Sequence, residues 1–240
     1  MNQPTFVFSL GAWSSPVGFE ALRSDLRSRG FPSECPSHPS AGTEPPKTLD
    51  DDVASLQSVM TALADEGKDI VVVAHSYGGM VASSAVEGLV KSVRAQGGRL
   101  GGVVSIICVA AFALDKGQSL LGLLGGNYLP WMRVEGDHVH ADGASIWQDL
   151  PPEEQEKCNA KALPTSRLVF DGKNTYEPWH HVSCAYIVCE QDLALPQSFQ
   201  ELFAAKVSGP RRTYQLPSSH SPFLSMPGRL ADVLGEIVKV

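Results

Sequence analysis

The stretch Val71–Ala85, reading VVVAHSYGGMVASSA, leaves a chain few folding options. Its β-branched apolar start fits a strand buried on both faces, and its small-residue end fits a closely packed helix. Between the two there is no room for a loop. A strand that runs directly into a helix needs small residues two before and two after the turning position, because the two backbones nearly touch there. Ala74 and Gly78 occupy those places around Ser76. The turn forces Ser76 into a strained backbone conformation and lifts its hydroxyl above the sheet edge, where the N–H groups of a helix start point at it. The plainer reading of the same residues is a serine capping the next helix.

The rest of the N-terminal half alternates short apolar runs with helical patterns, the signature of parallel βαβ units. Strands are predicted at Thr5–Leu10, Asp69–His75 and Val103–Ala110, and helices at Phe19–Arg29, Asp50–Glu66 and Gly79–Val93. The segment FPSECPSHPSAGTEPP is too rich in Pro and Ser for more than a short edge strand. From Leu114 to Trp179 the pattern gives way to Gly, Pro, Trp and short mixed helices. It resumes with a strand at Ala185–Cys189, a helix at Gln197–Lys206, a strand at Arg212–Leu216 and a helix at Pro227–Val240. The expected architecture is α/β: a mostly parallel sheet flanked by helices, built from residues 1–113 and 180–240. Residues 114–179 are expected to form a helical cap over the carboxyl ends of the strands, where open α/β sheets bind their ligands.

A serine in such a turn becomes a nucleophile only with a base and a group that orients the base. In this topology the partners follow as acid and then histidine, each just past a later strand. CAYIVCEQDLALP places Asp192 beyond one strand and TYQLPSSHSPFL places His220 beyond the last. Glu190 is the rival acid, nearer the strand end. His75 adjoins the serine but is expected to point away from it, and His138, His140, His180 and His181 lie in the cap or at its end with no strand before them. The oxyanion formed in acyl transfer needs two amide donors: Tyr77, after the serine, supplies one, and Ala12, in the Gly11-Ala12 step after the first strand, the other. Gly11 is expected to line the substrate pocket, and Trp13 reads equally as a pocket wall or a core residue. The apolar residues of the cap, among them Phe112, Tyr128, Trp131 and Met132, read equally as the cap's own core or as a substrate pocket.

Taken together and in order, LGAW, AHSYGG, YIVCEQDLALP and SSHSPFLS resemble the α/β-hydrolase serine hydrolases over nearly the whole chain. The similarity extends to the plant methylesterase and hydroxynitrile lyase group and to stand-alone fungal hydrolases that release or edit polyketides. In that family the loop after the first strand usually reads His-Gly, whereas here Leu10 precedes Gly11. The cyanohydrin-cleaving relatives carry lysine after the histidine, and Ser221 stands there in this chain, which argues against that lyase chemistry. The resemblance implies a Ser76–His220–Asp192 triad acting on a medium-sized apolar ester, lactone or thioester, free or borne by a carrier protein, with no cofactor. It leaves open a receptor-like protein that binds ligand without turnover.

Composition removes other classes. A formal net charge of −7 with scattered basic residues offers no nucleic-acid footprint. The N-terminal apolar run is too short for a signal sequence or a membrane span. Five cysteines without CxxC spacing suit a reducing cytoplasm better than a disulfide framework. Asp137, His138 and His140 in EGDHVHAD are a weak metal motif, read rather as solvated surface.

Overall fold

The computed structural model describes residues 3–44 and 46–239. The N-terminal half contains β1 (Thr5–Ser9), α1 (Glu20–Ser28), β2 (Ser33–Glu34), α2 (Leu49–Asp65), β3 (Asp69–His75) and α3 (Gly78–Ala85). It continues through α4 (Lys91–Gln96) to β4 (Gly102–Val109). A segment of short elements follows: α5 (Leu120–Leu123), β5 (Met132–Glu135), β6 (His138–Ala141), α6 (Pro152–Lys161), β7 (Thr165–Ser166) and α7 (Leu168–Asp171). The chain closes with β8 (Ser183–Cys189), α8 (Gln197–Val207), β9 (Thr213–Leu216), α9 (Pro222–Ser225) and α10 (Pro227–Ile237).

Six strands form one parallel sheet in the order β2-β1-β3-β4-β8-β9. Its central strands are apolar on both faces because helices cover both. In β1 and β3, Val7, Ile70, Val72 and Ala74 face the layer holding α2 and α3, and Phe6, Phe8, Val71 and Val73 face the layer holding α1 and α10. The period of two thus divides the core into two slabs. A capping box starts α2: the Thr48 side chain accepts from the Asp51 N–H while the Asp51 carboxylate accepts from that of Thr48. No helix among the described residues is long and apolar enough to cross a membrane.

Two expectations need correction. The helix expected over Gly79–Val93 is two helices, because α3 ends at Ala85 and Gly88 takes a left-handed φ of 77° before the chain restarts in α4. The segment between β4 and β8 is only partly helical. It contains a three-stranded antiparallel sheet, β5-β6-β7, whose β5–β6 hairpin turns at Gly136 (φ 56°). His138 and His140 therefore lie on a strand, though not one of the main sheet.

Candidate active site

Ser76 sits between β3 and α3 with φ 53°, in the left-handed region that costs a side-chain-bearing residue about 1–3 kcal/mol. The close approach foreseen from the small residues is literal. A Cβ on Gly78 would lie 2.2 Å from the Ser9 carbonyl oxygen, and one on Gly79 2.2 Å from that of Phe112. The turn is tied down through the Ser76 carbonyl, which accepts from the N–H groups of Gly79 (3.0 Å) and Phe112 (3.1 Å). Among the described residues, the other two non-glycines with positive φ are Trp13 (62°) and Ala110 (43°). They follow β1 and β4, so the strained backbone gathers at the carboxyl edge of the three central strands.

His220 lies in the loop after β9 and Asp192 in the loop after β8. His220 Nδ1 donates to Asp192 Oδ2 at 2.6 Å, with both side chains buried. The acceptor is a carboxylate, so Nδ1 carries a proton and Nε2 is the nitrogen left free of the acid. The N–H groups of Ala194 and Leu195, both at 2.8 Å from Oδ1, and Gln200 Nε2, at 3.0 Å from Oδ2, complete the carboxylate's shell. Gln200 is fully buried on α8 and also bonds the Cys189 backbone through both ends of its amide. Its role could not be read from the sequence, where it is one polar residue on a helix. Glu190 is exposed, and its N–H donates to the Leu216 carbonyl at 2.9 Å.

Ser76 and His220 line one narrow cavity of about 10 Å³, together with Ala12, Trp13, Tyr77, Phe112, Trp131 and Met132. Leu120, one of the apolar residues of the expected cap, completes its lining with Phe170, Ala194 and Leu195, which the sequence did not single out. Neither the Ala12 nor the Tyr77 amide meets a protein acceptor among the described residues. Trp13 is at once wall and core: it is nearly buried, and its ring packs edge-on to Trp131 (5.4 Å) and against Phe170 (6.1 Å). Two expected pocket residues stand elsewhere. Tyr128 packs behind the wall, edge-on to Phe170 at 5.6 Å. Gly11 lies beneath the site, where a Cβ would come within 2.6 Å of His75 Nδ1.

The Tyr77 side chain turns away from the cavity. Its hydroxyl donates to Asp52 Oδ2 at 2.8 Å, and Asp52 also accepts from the Ser40 N–H (2.8 Å) and hydroxyl (2.6 Å). Burial, reinforced by the Asp52 charge, pushes the Tyr77 hydroxyl well above its usual range and keeps it a donor. His38 packs edge-on to Tyr77 and donates from Nε2 to the Leu10 carbonyl at 3.0 Å, so the loop with leucine before Gly11 takes an imidazole from elsewhere in the chain.

The remaining histidines lie apart from the cavity. His138 and His140 stand beside Glu44 and Glu135, and His180 beside Glu177. No group of three His, Cys, Asp or Glu is arranged for a metal among the described residues.

Comparisons with known proteins bear on the family and the fold. The chain is 26% identical over 257 aligned positions to the alpha/beta hydrolase nvfD of Aspergillus novofumigatus, covering all of both chains. It is 27% identical over 257 positions to a carbendazim hydrolyzing esterase of Nocardioides sp., covering 97% of this chain and 98% of that protein. The crystal structure of polyneuridine aldehyde esterase superposes with a TM-score of 0.79 at 21% identity, covering 98% of this chain and 99% of the other, a likeness of fold. Residues 6–233 match the alpha/beta hydrolase family as a whole. With the strand-to-helix turn at Ser76 and the parallel sheet beneath it, that match decides the assignment: the chain belongs to the alpha/beta hydrolase family.

Proposed function

We propose that this hydrolase cleaves a neutral carboxylic ester, lactone or thioester with a compact apolar acyl group, through a Ser76–His220–Asp192 triad. One observation carries the reading. A serine on a strained strand-to-helix turn and an imidazole whose far nitrogen is fixed by a buried carboxylate open onto the same apolar cavity. His220 Nε2 takes the Ser76 proton as Oγ attacks the carbonyl carbon, and the oxyanion is held by the amides of Ala12 and Tyr77. His220 then returns the proton to the departing alcohol or thiol, leaving an acyl-serine. Water, deprotonated by the same imidazole, releases the acid and restores the hydroxyl.

The lining supports the substrate class. Beyond the triad it is aromatic or aliphatic, so a charged acyl group would lose its hydration without a partner. The cavity, about 10 Å³, has room for about one water, which supports a compact acyl group. The esterase from Nocardioides supports carbonyl hydrolysis in particular. Five free cysteines support a reducing compartment.

The test is a panel of p-nitrophenyl esters of graded chain length, with matched thioesters and lactones, run beside fluorophosphonate labelling of the wild type and Ser76→Ala. The reading requires turnover of short neutral esters and labelling that Ser76→Ala abolishes. Ligand binding without labelling or turnover would replace it with a receptor-like role.

A further inference from the structure

The loop that carries His220 is gripped from the segment between β4 and β8. Asp149, in the turn before α6, accepts from the Ser219 N–H at 2.9 Å through Oδ2 and from the Ser219 hydroxyl at 2.5 Å through Oδ1. The hydroxyl has one proton to give. The Ile146 carbonyl lies at 3.2 Å, so the shorter contact to a charged carboxylate takes that proton. The oxygen that donates it is then free to accept, and the Ser221 N–H stands 3.4 Å away. Through one side chain and one hydroxyl, the backbone N–H groups on both sides of His220 are engaged.

We propose that Asp149 is a positioning residue for the base, setting where His220 stands between Asp192 and Ser76. This rests on the reading of His220 as the base, given above. The imidazole is hydrogen-bonded at Nδ1 to Asp192, and the His220 carbonyl accepts from His75 Nε2 at 2.8 Å. Besides the Gln191 N–H, which donates to the Ser218 carbonyl at 3.0 Å, the paired bonds to Asp149 tether the loop to the facing segment. Gln148, the neighbouring residue, supports the same junction, with its side-chain amide donating to the Gln191 carbonyl beside Asp192. The segment therefore meets the acid loop and the base loop at adjacent residues. Asp149 touches no substrate; its effect passes through the backbone. A base displaced by about 1 Å costs about 100-fold in rate while leaving the apolar pocket intact.

The experiment measures kcat and KM for p-nitrophenyl acetate, and the fluorophosphonate labelling rate, in Asp149→Ala, Asp149→Asn and Ser219→Ala, with Glu153→Gln on α6 as control. Asp149→Ala is expected to lower kcat about 100-fold with KM within about twofold. Asp149→Asn keeps one acceptor and is expected to recover part of that loss, and Ser219→Ala, which keeps the backbone bond, to lose less than Asp149→Ala. Glu153→Gln should match the wild type. A folded Asp149→Ala or Asp149→Asn with wild-type kcat overturns the proposal, as does a loss confined to KM. Should the alanine variant fail to fold, Asp149→Asn and Ser219→Ala still decide. A wild type that neither turns over ester nor labels at Ser76 instead overturns the reading of His220 as base, a separate outcome.

Discussion

His75 and His220 are joined across the floor of the site: the Nε2–H of His75 donates to the His220 backbone carbonyl at 2.8 Å, with ring centroids 4.6 Å apart. The residue before the nucleophile candidate thus supports the loop of the base candidate. Its ring is enclosed by Phe19 and Phe223, turned away from the cavity and packed in the core. Replacing His75 by Phe should keep the packing but leave the carbonyl without its donor, at a cost of about 1–3 kcal/mol. Urea denaturation checks the stability, and steady-state assay should find kcat falling more than KM rises.

Burial holds the imidazoles of His75 and His38 below the ordinary value of 6.5, well below it for His75, where the neighbouring His220 adds to the effect. Folded, both rings exclude a proton that the unfolded chain takes up. Their contribution is therefore whole above pH 6.5 and is lost as pH falls toward the depressed folded values. Each such ring adds a slope of about 1.4 kcal/mol per pH unit. Unfolding followed from pH 7.5 to 5.5 should show the fall, and His38→Gln should flatten it by about one ring's share. An unchanged slope would contradict the assignment.

The two carboxylates after β8 should separate cleanly. Asp192→Asn leaves His220 Nδ1 facing an amide and favours the wrong tautomer, which should lower kcat about 10⁴-fold. Glu190→Gln, exposed and without a side-chain role at the site, should leave kcat within about twofold. Steady-state kinetics on one ester decide between them, and the reverse ranking would move the acid to Glu190.

Gly78 is expected to tolerate no side chain. Its Cβ would meet the Ser9 and Leu10 carbonyl oxygens at 2.2 and 2.4 Å, rigid backbone on a central strand. Gly78→Ala should destabilise the fold by about 3 kcal/mol or more, read as a lowered midpoint of denaturation or as insoluble protein.

Trp131 closes the cavity against Trp13. Trp131→Ala should raise kcat/KM for longer acyl chains relative to acetyl by about 10- to 100-fold, the scale on which an apolar pocket distinguishes chain lengths. The p-nitrophenyl series measures it, and an unaltered chain-length profile would remove Trp131 from the substrate's path.

The sheet was legible because strands such as Ile70–Ala74 are buried on both faces and write themselves as unbroken apolar runs. Ser76 and Asp192 drew notice because each follows such a strand, and His220 because it follows the last strand, β9, a partly exposed edge strand. The β5–β6 hairpin was not: its strands have four residues each, and in β6 only Val139 is fully enclosed, so no period stands out. Asp52, Asp149 and Gln200 were invisible for another reason. Each is a polar residue on a helix or turn, and its importance lies in partners distant in the chain, Tyr77, Ser219 and, for Gln200, the strand end at Cys189. Leu120, Phe170 and Leu195 converge on one cavity from elements whose sequences carry no mark of each other.

The strained backbone at Trp13 is held almost wholly from outside the main sheet: its N–H donates to Thr165 Oγ1, its indole N–H to the Val139 carbonyl, and its carbonyl accepts from the Leu163 N–H. The small sheet is thus a brace as much as a roof. Anyone exchanging this segment for that of another scaffold, to borrow its specificity, would leave the tryptophan's three sockets empty and let the loop beside the reacting carbonyl sag. Pocket grafting in this architecture therefore means transplanting the braces along with the walls.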